Sequence, residues 1–65
     1  MIEKIGQTAG EVWQLLNRNG ETTVAKLRTG TKSDAFTVNA AIGWLAREDK
    51  VVISKSGNSV KVALK

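Results

Sequence analysis

The fold is decided by residues 33–50, SDAFTVNAAIGWLAREDK. Within this stretch the apolar side chains recur at the i, i+3, i+4 and i+7 spacing that places them on one face of a helix. These apolar residues are Val38, Ala41, Ile42 and Leu45. Ser33 is expected to cap the N-terminus of the helix, with Asp34 in the first turn, where a negative charge suits the helix dipole. We therefore predict a helix that ends at Asp49 and Lys50.

A first helix is predicted between residues 2 and 19. One face of it is apolar and consists of Ile5, Ala9, Val12 and Leu16. Thr8 and Glu11 have the spacing of a capping box, which would start the helix near Thr8, whereas the apolar pattern reaches back to Ile5 and favours an earlier start. Gly20 is a suitable left-handed residue to end this helix.

A short second helix is predicted between the first helix and the helix of residues 33–50. Thr22 or Thr23 is expected to cap it, and its apolar residues are Val24, Ala25 and Leu27. The turn is predicted over residues 28–32, with Gly30 at the helix end. A short helix, a turn that contains glycine and a capped helix are typical of a helix-turn-helix unit.

The residues after Lys50 alternate with period two and predict a β-hairpin. Its strands are expected over residues 51–54 and 60–65, and Gly57 with Asn58 can supply the positive φ of a tight turn. The resulting architecture is α+β, a winged helix-turn-helix with three helices and a two- or three-stranded antiparallel wing, as one domain over residues 1–65. The predicted core is Ile5, Ala9, Val12, Leu16, Val24, Leu27, Val38, Ala41, Ile42, Leu45, Val51, Ile53, Val60 and Val62.

Two separated motifs carry a resemblance to known proteins, IGQTAGEVWQLLNRNGE near the start and WLAREDKVVIS near the wing. Over nearly all of its length the chain resembles the winged helix-turn-helix superfamily. More narrowly, it is similar to small standalone bacterial winged-helix proteins of unknown function that carry a GWLARE segment, present here at residues 43–48. Asp49 departs from this pattern, because the family usually has Gly there. The resemblance implies the fold and a homodimer, and it assigns no activity.

The composition narrows the function classes. The chain has neither Cys nor His, so the usual ligands of zinc, a disulfide and an imidazole base are all missing. Its glycines match no phosphate-binding or dinucleotide-binding motif. We therefore expect no enzyme, no cofactor and no small-molecule ligand. We expect no membrane segment either, because no stretch approaches about 20 apolar residues. The early acidic residue argues against a signal peptide, so a cytoplasmic location is expected.

Double-stranded DNA is the first candidate partner, since the formal net charge is +4 and the pI is about 9.9. In a helix-turn-helix the last helix enters the major groove, and the turn and wing contact phosphates. Thr37 and Asn39 are expected to contact bases, with Ser33 at the start of the helix. The candidate phosphate contacts are Lys26, Arg28, Lys32, Lys55 and Lys61. The face opposite the apolar stripe carries only one basic residue, Arg47, so simple solubility explains the charge equally well.

The alternative is a protein-interaction or homodimerisation module. Ala40, Gly43 and Trp44 would form its interface along the last helix, since aromatic residues are enriched in interface cores. A domain this small often gains stability by self-association. Trp13 is expected in the core, and Phe36 is expected to cover the turn against Leu27.

Overall fold

The structure is a computed structural model and describes residues 2–65. The described part contains three helices and one three-stranded antiparallel sheet. In chain order the elements are α1 (Ile2–Asn19), β1 (Thr22–Thr23), α2 (Val24–Thr31), α3 (Ala35–Arg47), β2 (Val51–Ser56) and β3 (Ser59–Leu64). The predicted α+β winged helix-turn-helix architecture is confirmed, with a wing of three strands.

The wing is a hairpin of β2 and β3 to which the two residues of β1 are added. The strand order is β1-β3-β2, so β3 is central and β2 forms an edge. Val62 pairs with Thr22 on one side and with Ile53 on the other. Gly57 has a φ of 59°, which gives the predicted hairpin turn its left-handed residue.

The core lies between the helices and one face of the sheet. Its fully or nearly buried apolar residues are Ala9, Val12, Leu16, Leu27, Val38, Ala41, Ile42, Leu45, Val51 and Val62. Three predicted core residues, Ile5, Val24 and Val60, are only half-buried. Ile53 is 45% exposed, which corrects its placement in the core. Only Val51 of β2 is buried. Val52, Ser54 and Ser56 point to the reverse face of the sheet, and Ile53 and Lys55, which share the face of Val51, are exposed on this edge strand.

The N-terminal caps differ from two expectations. Asp34, rather than Ser33, caps α3, and its Oδ1 accepts the backbone N–H of Thr37 at 2.8 Å. The Ser33 hydroxyl instead donates to the carbonyl of Thr31 at 3.5 Å. The capping box at Thr8 is also wrong, because α1 already begins at Ile2 and Thr8 is buried within it. Thr23 caps α2 as one of the two expected residues, accepting the N–H of Lys26 at 3.2 Å.

The end of α2 does not lie at Gly30. The helix continues to Thr31, and the left-handed residue is Lys32, with a φ of 57° and an N–H that donates to the Thr29 carbonyl at 3.3 Å. Gly30 instead faces the Leu15 side chain of α1. A Cβ at this position would lie 2.9 Å from Leu15 Cδ1, so the end of the Leu15 side chain would have to shift to accommodate it.

The end of α3 is a Schellman motif, in which a left-handed residue closes the last helical turn. Asp49 has a φ of 60°. Its N–H donates to the Ala46 carbonyl, and the N–H of Lys50 donates to the Leu45 carbonyl, both at 3.0 Å. The Asp49 carboxylate also accepts a hydrogen bond from the Lys65 ammonium. This turn directs the chain from α3 into β2.

Candidate nucleic-acid interface

One side of α3 packs into the core and the other is open to solvent. Its buried side comprises Thr37, Val38, Ala41, Ile42 and Leu45. The opposite side, which we call the outward face, comprises Phe36, Asn39, Ala40, Gly43 and Arg47. The members of the outward face follow the helical repeat, and all are exposed except Ala40, which is half-buried.

Thr37 does not belong to the outward face. It is only 6% exposed, and its backbone N–H bonds to the Asp34 carboxylate. Thr37 holds the pKa of Asp34 below its ordinary value, mainly through its hydroxyl and then through this N–H. Because Thr37 is buried and bonded to Asp34 at the start of the helix, its side chain does not face the solvent, and we no longer expect it to contact a base. Asn39 does lie on the outward face.

Phe36 is a further functional candidate on the outward face, which the predicted base and phosphate contacts did not include. It is 62% exposed at the start of the outward face, and so the expectation that it covers the turn against Leu27 is wrong. The signal was present in the spacing, because two residues of helix turn a side chain about 200° away from the core residue Val38. The same periodicity places Phe36 one turn from Ala40 and two turns from Gly43.

The basic residues of the helix-turn-helix lie at the surface. Lys26 and Arg28 are exposed on α2, and Lys32 is exposed at the turn before α3. Within residues 2–65 the one ion pair joins Lys65 to Asp49. The cationic groups of α2 and the turn therefore remain available to an anion.

The two wing lysines do not share a surface. Lys55 pairs with Val60 and Lys61 pairs with Ser54, and directly paired residues in an antiparallel ladder point to the same face. Val60 is on the same face as Val62, which packs on the helices, whereas Lys61 is on the reverse face. The structure thus separates Lys55 from Lys61, two residues that were expected to contact the same phosphate backbone.

A shallow groove runs between α1 and α3 on a different flank. Gly6, Gly10 and Trp13 line it from α1, and Trp44 and Lys50 line it from the other side. Trp13 is 39% exposed and Trp44 is 41% exposed, so Trp13 is not the core residue that was expected. Of the predicted interface, Trp44 lines this groove, whereas Gly43 lies on the outward face.

Two other kinds of site, a metal centre and a membrane-spanning helix, are not found in residues 2–65. Residues 2–65 contain no cluster of three or more acidic side chains that could hold a metal ion. No helix of the same range is both long and apolar enough to cross a membrane. The notable surface features are the outward face of α3, the exposed basic residues of α2 and the turn, and the groove between α1 and α3.

The comparison with known proteins identifies the family. The profile of DUF2582, described as a winged helix-turn-helix domain, matches residues 1–64. The chain belongs to the DUF2582 family. A relative of this DUF2582 chain is the uncharacterized protein MJ1608 of Methanocaldococcus jannaschii, which is 37% identical over 68 residues that span all of this chain and 96% of the relative.

Three solved structures share the DUF2582 chain's fold. Protein BT2368 of Bacteroides thetaiotaomicron, solved by NMR, is 31% identical, with a TM-score of 0.84 over 95% of this chain and 76% of that one. BpsR of Bordetella bronchiseptica, whose DNA binding is regulated by 6-hydroxynicotinic acid, is 22% identical, with a TM-score of 0.82 over 89% and 42% of the two chains. The Zalpha domain of Carassius auratus PKZ, solved with Z-DNA, is 23% identical, with a TM-score of 0.82 over 94% and 97%.

Proposed function

We propose that this chain is a small cytoplasmic DNA-binding protein without catalytic activity, and that it places the outward face of α3 in the major groove of double-stranded DNA. Asn39 would contact bases. Phosphates would be held by Lys26, Arg28, Lys32, Ser33 and one of the two wing lysines, Lys55 or Lys61. The winged-helix fold is compatible with this role, since BpsR and the PKZ domain, which have the same fold, bind DNA.

The observation that carries the proposal is the charge around the helix-turn-helix. From β1 to the end of α3 the basic residues are Lys26, Arg28, Lys32 and Arg47. The only acidic residue in the same span is Asp34, whose carboxylate is held at the start of α3 by Thr37. A polyanion approaching α2 and the turn would therefore meet mainly positive charge, whereas Glu21 and Glu48 lie just outside this span and Glu48 directly follows Arg47.

Lys32 supports the same conclusion through its backbone. Its φ of 57° lies in the left-handed region, where a residue with a side chain costs about 1–2 kcal/mol more than in the right-handed helix. Glycine would fit this turn without that cost. A lysine at a strained position before the recognition helix is consistent with a binding role for its charge.

The test is fluorescence anisotropy of a labelled mixed-sequence duplex at about 50 and about 200 mM salt, because each phosphate contact adds about 0.9 to the slope of log affinity against log salt. Lys32→Gln should weaken binding, and its affinity should depend less on salt, with a slope that is shallower by about one. The matched control is Lys50→Gln, which removes the same charge from the groove between α1 and α3. Absence of salt-sensitive binding, or equal effects of the two variants, would contradict the proposal.

A second candidate function is homodimerisation or protein binding, with Ala40, Gly43 and Trp44 in the interface. The observation that favours it is the groove between α1 and α3, where Trp13 and Trp44 are both about two-fifths exposed; of the three interface residues only Trp44 lines this groove, and Ala40 and Gly43 lie on the outward face. Large aromatic side chains are enriched in interface cores. If this groove joins two copies, wild-type protein should have the mass of a dimer by light scattering, and Trp44→Ala should have that of a monomer. An unchanged mass would exclude Trp44 from the contact.

A further inference from the structure

The outward face of α3 carries side chains of three different chemistries. Its N-terminal half carries a phenyl ring on Phe36, a carboxamide on Asn39 and a methyl group on Ala40. In the major groove, Asn pairs with the N6 and N7 atoms of adenine, and apolar side chains such as Phe and Ala contact the methyl group of thymine. Guanine is contacted mainly by Arg or Lys. The first basic residue on this face is Arg47, at the end of the helix.

The positions of these groups fit one short stretch of duplex. Phe36 and Gly43 are two helical turns apart, about 10.5 Å, which corresponds to about three base pairs. Asn39 and Ala40 lie between them on the same face. Nothing lies within 4 Å of a Cβ built on Gly43, and so the backbone there is open to close approach by base edges.

Arg47 lies outside this stretch. It is 11 residues after Phe36, about 16.5 Å along the axis, which exceeds the length covered by three base pairs. In a helix-turn-helix the N-terminal residues of the recognition helix meet the bases. Arg47 is therefore placed to contact a phosphate rather than the same bases as Phe36 and Asn39.

A single exposed aromatic side chain is common at protein surfaces and needs no special explanation. Phe36 differs because its neighbours one turn along the helix are Asn39 and Ala40, whose chemistry matches the same type of base pair. Its 62% exposure leaves most of the ring free to lose contact with water when a thymine methyl group packs on it.

We infer that the outward face of α3 recognises A·T base pairs, with Phe36 and Ala40 packing on thymine methyl groups and Asn39 binding adenine. This inference rests on the proposed DNA-binding function. It makes Phe36 a specificity-determining residue, while the lysines near the turn provide sequence-independent affinity.

The test compares three duplexes of equal length by anisotropy: one of A·T pairs, the same duplex with deoxyuridine in place of thymidine, and one of non-alternating G·C pairs. Replacing thymidine by deoxyuridine removes only the methyl group. Affinity should fall about four-fold for each methyl group that is buried by the protein. The G·C duplex should bind least tightly, and Asn39→Ala should lower affinity for the A·T duplex about ten-fold.

Phe36→Ala should lose about four-fold of the preference for thymidine over deoxyuridine for each methyl group that Phe36 covers, and keep only the part due to Ala40; the exposure of Phe36 predicts that the variant folds. The matched control is Val52→Ala, a similar truncation of a half-exposed apolar side chain on the wing, which should keep the preference for thymidine. Salt-sensitive binding by wild-type protein with no difference among the three duplexes would overturn the inference and leave the proposed function intact. Absence of binding to all duplexes at low salt would overturn both.

Discussion

Two helical glycines give opposite predictions for the same substitution. Gly43 lies inside α3, where nothing is found within 4 Å of a built Cβ. Gly43→Ala should therefore gain the helix propensity of alanine, about 1 kcal/mol, without steric cost. Gly30 lies near the end of α2, where a Cβ would come within 2.9 Å of Leu15 Cδ1. There the propensity gain is opposed by displacement of the Leu15 side chain.

The size of this opposing effect follows from the contact. Overpacking costs about 1–3 kcal/mol, and the lower end applies because Leu15 is half-buried and the atom concerned ends a flexible side chain. Gly30→Ala should consequently change stability by about zero or destabilise slightly. The free energy of unfolding of the Gly43→Ala variant should exceed that of the Gly30→Ala variant by about 1 kcal/mol. This corresponds to a difference of about 4–8 °C in Tm for a domain of this size.

Both variants can be compared with wild type by urea and thermal unfolding followed by far-UV circular dichroism. Equal stabilisation by the two substitutions would refute the close approach of Leu15 to Gly30. Destabilisation by Gly43→Ala would refute the conclusion that the middle of the outward face is open. Since Gly43 is also where base edges are proposed to approach, the stabilised variant should bind the A·T duplex more weakly than wild type.

Two further predictions concern single residues near the ends of α3. Asp49→Gly removes the left-handed strain at φ 60° and should stabilise the fold by up to about 1 kcal/mol in urea unfolding; a loss of stability would mean that the contact with Lys65 outweighs this strain. The pKa of Asp34 is lowered in the folded state, so its ionised form stabilises the fold above the unfolded pKa, and this contribution is lost as the pH falls through the lower folded value. Unfolding of Asp34→Asn should depend less on pH below about 4, whereas a pH profile that matches wild type would exclude Asp34 as the source.

The sequence predicted α3 and its core residues well, because Val38, Ala41, Ile42 and Leu45 all contact the core and periodicity reports that contact directly. Periodicity does not report how wide the buried arc is. Thr37 lies at the edge of this arc, and it was therefore predicted to be exposed although it is buried. Ser33 and Asp34 are both good N-caps, and propensity alone does not choose between two adjacent candidates.

The wing shows a different limit. Alternation correctly placed Ile53 on the same face of the sheet as the buried Val62, but it does not report how much of an edge strand is covered, and Ile53 is 45% exposed. By contrast, the separation of Lys55 from Lys61 follows from the hairpin register, because alternate residues of a strand point to opposite faces of the sheet. Once the turn is placed at Gly57 and Asn58, Lys55 pairs with Val60 and Lys61 pairs with Ser54. The sequence alone could therefore have assigned these two candidate phosphate contacts to opposite faces of the wing.

The edge position of β2 has a consequence for the behaviour of the protein at high concentration. An edge strand leaves a row of backbone donors and acceptors unpaired, which can template strand addition between molecules and promote aggregation. Val52 and Ile53 are exposed on this strand, and Lys55 is its only charged residue. We therefore expect the ammonium group of Lys55 to oppose intermolecular β-pairing, so that a variant without this charge aggregates more readily even where no DNA is present.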